Sequence, residues 1–231
     1  MSIAENIARL KEEIATVCRR AGRDEREVAL MAVSKVHPVE AILEAYEAGQ
    51  RLFGENKVQE YEGKSERVRG LDGAAVHLIG PLQSNKTNKA AELFDAVDAV
   101  DSLKIAERLE RAAKVLGKRL PVLIEVKLSH EESKHGVGPE ELPALLEAMR
   151  GFEAVEAVGL MTVPPWSEDA EVARPYFKEL RRLRNEAVKA HPKLVQLSMG
   201  MSNDFAVGIE EGSTCVRVGT AIFGKRIYAA K

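Results

Sequence analysis

Val28-Ala29-Leu30-Met31-Ala32-Val33-Ser34-Lys35-Val36-His37-Pro38 (residues 28–38) is the stretch that decides the fold. Six apolar residues in a row read as a short strand buried on both faces, which is the habit of parallel sheets. An open doubly wound sheet usually marks its first turn with glycines, and none stands between Val33 and Pro38. The residues that follow, 38–49, read as a helix with proline at its start and glycine at its end.

The same alternation continues outward from this unit. Apolar runs recur at 51–53, 76–79, 96–100, 121–126, 155–163, 194–197 and 215–218. Helical patterns lie between most of them, at about 85–94, 102–116, 139–149 and 169–190. Eight strands with helical crossovers in a chain of 231 residues predict an α/β fold, a single (β/α)₈ TIM barrel forming one domain over 1–231. Strands two and four carry the weakest patterns. Ile3, Ile7, Leu10, Ile14 and Val17 form one stripe at three- and four-residue steps, so an extra N-terminal amphipathic helix precedes the barrel.

Composition narrows the function. Lys plus Arg number 34 and Asp plus Glu 36, a net charge of −2, which argues against nucleic-acid binding through bulk charge. No apolar run reaches the roughly 18 residues that cross a bilayer, so no membrane association is expected. The acidic N-terminus lacks the apolar centre of a signal peptide. Cys18 and Cys215 fit neither a metal spacing nor a disulfide framework and read as packing residues in a reducing compartment, the cytoplasm. His77 and His135 lack partner ligands at metal spacing. No heptad or large apolar stripe stands out, and a monomer is expected.

A barrel of this kind carries its chemistry at the C-terminal ends of the strands. Lys35 sits at the first of these. An ammonium at a low-dielectric barrel mouth loses its proton more readily, and a neutral amine is the nucleophile for a Schiff base. The alternative is a lysine that only snorkels to solvent. Ser198-Met199-Gly200-Met201-Ser202 and Gly219-Thr220 follow strands seven and eight, where barrels often bind phosphate. Alternation along the last strand puts Cys215, Arg217 and Gly219 on one face, which points Arg217 into the barrel. Lysine, phosphate cradle and inward arginine together suit pyridoxal phosphate: aldehyde, phosphate and ring nitrogen each meet a matching partner. Lys86, Lys89, Lys127 and Lys134 are rival anion contacts.

These residues resemble a known family. AVSKVHP (32–38), FGENKVQE (53–60), HLIGPLQSNK (77–86), VDS (100–102), GLMTV (159–163), LSMGMSND (197–204) and VRVGTAIFG (216–224) look like the motifs of the pyridoxal phosphate homeostasis proteins. These are fold-type III proteins similar to the barrel domain of alanine racemase. The resemblance implies Lys35 as the Schiff-base lysine, Ser198 with Gly219 and Thr220 at the phosphate, Arg217 at the ring nitrogen, and Asn56 and Met161 near the ring. It assigns no role to His77, Asn85 or Lys86. Asn203 and His135 depart mildly from the pattern.

The same resemblance implies a carrier rather than an enzyme. A two-base racemase needs a second proton carrier opposite the lysine. In the racemases this chain resembles, it is a tyrosine from a separate β-domain, and only seven residues follow Gly224 here. Tyr46, Tyr61, Tyr176 and Tyr228 fall in predicted helices or the tail. The expected role is non-catalytic holding of pyridoxal 5'-phosphate in vitamin B6 homeostasis, with pyridoxal-phosphate-dependent apo-enzymes as candidate partners. The alternatives are a fold-type III amino-acid racemase or lyase, and a phosphate-binding isomerase or aldolase in which Lys35 attacks a sugar carbonyl.

Overall fold

The computed structural model describes residues 1–129, 131 and 135–224. Eight strands, all parallel, close into a barrel in chain order. They are β1 (Ala29–Val33), β2 (Leu52–Glu55), β3 (Ala75–Leu78), β4 (Ala96–Val100), β5 (Leu120–Glu125), β6 (Val155–Met161), β7 (Gln196–Met201) and β8 (Cys215–Val218). β8 pairs back onto β1, with Met31 opposite Arg217. The helices are α1 (Ile3–Arg20), α2 (Val39–Glu47), α3 (Val58–Val68), α4 (Thr87–Leu93), α5 (Leu103–Val115), α6 (Leu142–Met149), α7 (Arg174–Ala187), α8 (Phe205–Glu210) and α9 (Thr220–Phe223). None of the described helices is long and apolar enough to cross a membrane.

Side-chain alternation divides the core into two layers. Leu30 and Ala32 of β1 and Val216 and Val218 of β8 join the large apolar layer under the helices. Their neighbours Met31, Cys215 and Arg217 are equally buried but stand outside that layer, as lumen-facing positions should. Ala99, Leu123 and Met161 form a separate small cluster. α1 is held by a capping box, with Ser2 and Glu5 each satisfying the other's backbone N–H, and buries Ile7, Leu10, Ile14 and Val17. Each such side chain contributes about 1.5–3 kcal/mol by leaving water. Asn6 then donates to the Ile222 carbonyl at 2.9 Å, which ties α1 to α9 beside the barrel mouth.

The two weakly patterned strands, β2 and β4, both form. Several elements differ from the sequence expectation. β7 runs to Met201 instead of stopping at Leu197, because Gly200 takes a positive φ of 98° within the strand and keeps the chain moving along the wall. The segment expected as one helix over 169–190 begins as a 3₁₀ turn, Ala170–Ala173, and turns α-helical only where Pro175 fits the first turn. α3 carries Gly63 amid charged residues, which hid its periodicity, yet it buries Val58, Tyr61 and Val68.

Candidate functional site

The first site element is a tight turn. β1 ends at Val33, and the His37 N–H donates to the Ser34 carbonyl at 3.1 Å, so residues 34–37 form a β-turn with Lys35 and Val36 at its centre. Val36 has φ 64° while Lys35 has no positive φ, the pattern of a type II turn. That position normally takes glycine. A β-branched residue there stores about 1–3 kcal/mol of backbone strain. The turn presents Lys35, half-buried, to a cavity of about 490 Å³ at the C-terminal end of the barrel.

Lys35, Asn56, Arg217, Gly219 and Thr220 all line this cavity, so five of the seven expected site residues converge on it. Gly80, from the loop after β3, packs against the back of Asn56. A Cβ on Gly80 would lie 2.3 Å from the Asn56 carbonyl oxygen, so only glycine permits this approach. Gly219 also lies close over Val33, with a Cβ there 3.2 Å from the Val33 carbonyl oxygen, a tight contact but not a clash. Asn203 Nδ2 donates to the Ser167 carbonyl at 2.8 Å and joins the loops after β6 and β7 at the rim, beside the exposed Trp166.

Ser198 and Met161 do not reach the cavity wall. Since β7 continues to Met201, Ser198 lies inside the strand, 1% exposed, and its hydroxyl accepts from Arg217 Nη1 at 2.6 Å. Ser198 therefore seats the arginine, and Ser202, just past the strand, lines the cavity together with Thr220. Met161 is fully buried with Ala99 and Leu123, below the floor. Among the rival lysines, Lys89 pairs with Glu62 and Glu92 on the surface, and Lys134 lies outside the described residues. Lys127 and Lys86 are not among the cavity's lining residues. Sequence reasoning missed Glu125, Asp204 and Trp166 at the cavity. Strand alternation was a usable signal for Glu125, two residues beyond lumen-facing Leu123.

Arg217 is the electrostatic centre. It is 4% exposed, and Nη2 donates to the Thr162 carbonyl at 2.9 Å. Burial works against its charge and lowers its pKa, opposed by the nearby Cys215, Asp98, Glu125 and Asp204. Burial pushes the Asp204 carboxyl up, even though it accepts the Met201 N–H. The Cys215 thiol is pushed up to about 12 by burial, which keeps it neutral and unreactive. Deeper in the barrel His77 Nδ1 lies 3.1 Å from Asp98 Oδ1. Burial disfavours the charged imidazole, but the Asp98 charge and hydrogen bond outweigh it and raise the His77 pKa. The motif residue without a sequence role is thus hydrogen-bonded to a lumen carboxylate. No group of three or more metal-ligating side chains gathers among the described residues.

A larger hollow of about 720 Å³ opens beside Leu120 and Val155, at the N-terminal ends of β5 and β6. It faces away from Lys35. In barrels of this type that end serves stability, so the smaller cavity is the candidate site.

A closed eight-stranded barrel with a lysine just past its first strand and a buried arginine on its last defines a class. The family model "Alanine racemase, N-terminal domain" matches residues 6–227. Proteins named "Pyridoxal phosphate homeostasis protein" from Aquifex aeolicus and Pseudomonas aeruginosa are 43% and 44% identical, over 99% of this chain and 100% and 98% of theirs. The chain belongs to the pyridoxal phosphate homeostasis protein family. PipY of Synechococcus elongatus, solved with pyridoxal phosphate bound, is 40% identical and superposes with a TM-score of 0.85 over 96% of this chain and all of that one. Alanine racemase of Clostridium difficile shares the fold at a TM-score of 0.73, with 15% identity over 97% of this chain and 56% of its own.

Proposed function

We propose that this chain binds pyridoxal 5'-phosphate at the barrel mouth, joined to Lys35 as a Schiff base, and holds it for release without turning over a substrate. The observation that carries the reading is the donor set of one cavity: Lys35, Arg217, Asn56, Ser202, Gly219 and Thr220. These fit the group's chemistry. When bound, pyridoxal phosphate supplies an aldehyde that condenses with a primary amine. Lys35 Nζ would be the amine that condenses with that aldehyde, with water as the other product and no outside oxidant or reductant needed. Arg217, a permanent donor, favours an unprotonated ring nitrogen. Ser202, Thr220 and the Gly219 backbone would take the phosphate. Met161, buried with Ala99 and Leu123, would support the site from beneath.

Support for holding over catalysis comes from the relatives. Tyr46, Tyr61 and Tyr176 lie on α2, α3 and α7, and Tyr228 is outside the described residues. The relatives matched over their whole length are named for homeostasis. We place the chain in the cytoplasm as a monomer, in keeping with the two unpaired, buried cysteines, and take apo-enzymes that need the cofactor as its acceptors.

The test is spectroscopic. The protein saturated with pyridoxal phosphate should show a visible absorbance band, and borohydride should fix the cofactor's mass on the peptide containing Lys35. Lys35→Ala should lose both while remaining folded. A band retained in that variant would move the attachment to another lysine. Deuterium exchange at the α-carbon of amino acids, well above that of free cofactor, would overturn the carrier reading in favour of a racemase or lyase.

A further inference from the structure

The strained residue beside Lys35 is held by an acid that does not line the cavity. Val36 stands in the left-handed region at φ 64°, and its N–H donates to a carboxylate oxygen of Glu60 on α3. Glu60 in turn accepts from Lys64 Nζ at 2.9 Å, one helical turn away on the same face. Lys64 also donates to Glu55 at 2.9 Å and to the Ser34 carbonyl at 3.4 Å. The Ser34 hydroxyl donates to the same Glu55 oxygen at 2.8 Å. Glu55 and Lys64 are buried, so the chain of charges is sheltered from solvent screening. Both neighbours of Lys35 are therefore pinned to the β2–α3 unit, Ser34 through Glu55 and Lys64, Val36 through Glu60.

A surface acid with only a helical ion pair would leave the turn free to relax to a negative φ at Val36. Relaxation there would turn the peptide between Lys35 and Val36 and, with Pro38 and α2 held in place, shift the backbone that carries the Lys35 side chain. Glu60 is 25% exposed at its side chain, and one oxygen, Oε1, accepts from both the Val36 N–H and Lys64 Nζ. We propose that Glu60, braced by Lys64 and Glu55, is a positioning residue: it locks the 34–37 turn in its left-handed form and thereby aims Lys35 into the cavity. The proposal rests on the reading of Lys35 as the cofactor-joining amine.

The experiment combines Glu60→Ala, Glu60→Gln, Val36→Gly and the Val36→Gly/Glu60→Ala pair, read in two ways. The first is hydrogen exchange of the residue-36 amide in the protein without added cofactor. The second is the stopped-flow rate at which pyridoxal phosphate generates the visible band. Glu60→Ala should speed amide exchange and slow band formation, each by about ten- to a hundredfold, the worth of a charge-assisted hydrogen bond. Glu60→Gln retains an acceptor oxygen and should restore both to within about threefold of the parent, a loss in the range of a neutral bond's. Glycine adopts the turn without side-chain strain, so in the Val36→Gly background removing Glu60 should change the band rate by less than about threefold. Unchanged exchange in Glu60→Ala, or an equal slowing of the band in both backgrounds, overturns the proposal. If even the parent protein forms no band, the cofactor reading fails by itself, and the exchange data still decide whether Glu60 locks the turn. Should Glu60→Ala not fold, Glu60→Met serves in its place by the same criteria.

Discussion

Gly80→Ala is the perturbation whose size can be worked most directly from the geometry. The new methyl would sit 2.3 Å from the Asn56 carbonyl oxygen and 2.7 Å from its side-chain carbon Cγ. Moving from 2.3 Å to ordinary contact at about 3.4 Å requires roughly 1.1 Å of separation between the loop after β3 and Asn56. Neither side yields easily. The Ile79 N–H is bonded to the Glu55 carbonyl at 2.9 Å, immediately before both residues. Overpacking of this kind typically destabilises by about 1–3 kcal/mol, or about 2–12 °C in melting temperature for a chain of this length. The larger effect is expected on binding, because Asn56 and Gly80 line the same cavity. A displacement near 1 Å at a binding group should weaken pyridoxal phosphate affinity by at least about tenfold. Titration of the visible band against cofactor, with calorimetric melting of the same samples, measures both. Gly63→Ala on α3 is the control: nothing lies within 4 Å of its added Cβ, so it should keep the affinity and gain about 0.5–1 kcal/mol. If Gly80→Ala binds and melts like the parent, the close approach is not what seats Asn56.

Three further outcomes follow from buried polar groups. Glu110 accepts the N–H groups of Glu153, Ala154 and Val155 at 3.0, 3.0 and 2.8 Å, so Glu110→Ala strands three donors at the start of β6 and should destabilise by about 3–5 kcal/mol in urea melts. Burial raises the Glu110 carboxyl, but these N–H groups and Lys114 outweigh it and leave it below the ordinary carboxylate range. Its contribution is therefore present above that range and lost as pH falls through the lowered value; a parent-minus-Glu110→Gln stability difference that does not shrink on acidification would contradict this. For the His77–Asp98 pair the sign reverses. With the folded-state His77 pKa raised, its stabilisation is complete below the ordinary histidine range and fades as pH rises through the raised value, so His77→Gln should lose most stability on the acidic side. Arg217→Met removes the donor from Ser198 and Thr162 and leaves Asp98, Glu125 and Asp204 without their nearby cation. It should destabilise by at least about 3 kcal/mol, and Arg217→Lys should recover only part of that, since one ammonium lacks the fork that reaches two acceptors. Equal denaturant midpoints for the two variants would refute the geometric part of this argument.

The legible part of the site came from residues whose signal is local. Lys35 closes an apolar run, and Arg217 holds a fixed phase in an alternating strand, so both could be placed from their neighbours alone. That Ser198 lies inside β7 against Arg217 was not legible, because the end of β7 depends on how Gly200 is twisted, and a sequence does not print φ. Met161 sat in a matching motif, but its depth is set by packing against Ala99 and Leu123 from two other strands. Trp166 and Asp204 sit in loops, where periodicity carries no information.

The sequence by itself determined the parallel barrel, the extra helix before it and the family of the chain. Hydrophobic period and strand spacing are properties of consecutive residues, and burial of apolar faces leaves them few ways to assemble. Only the tertiary structure decided which hydroxyl faces the cavity, that His77 is paired within the lumen, and that Val36 is held in a left-handed turn by an acid 24 residues further on. Those facts depend on contacts between segments far apart in the chain. Their energies are hydrogen bonds and charges that act over a few ångströms in space, so no local pattern announces them.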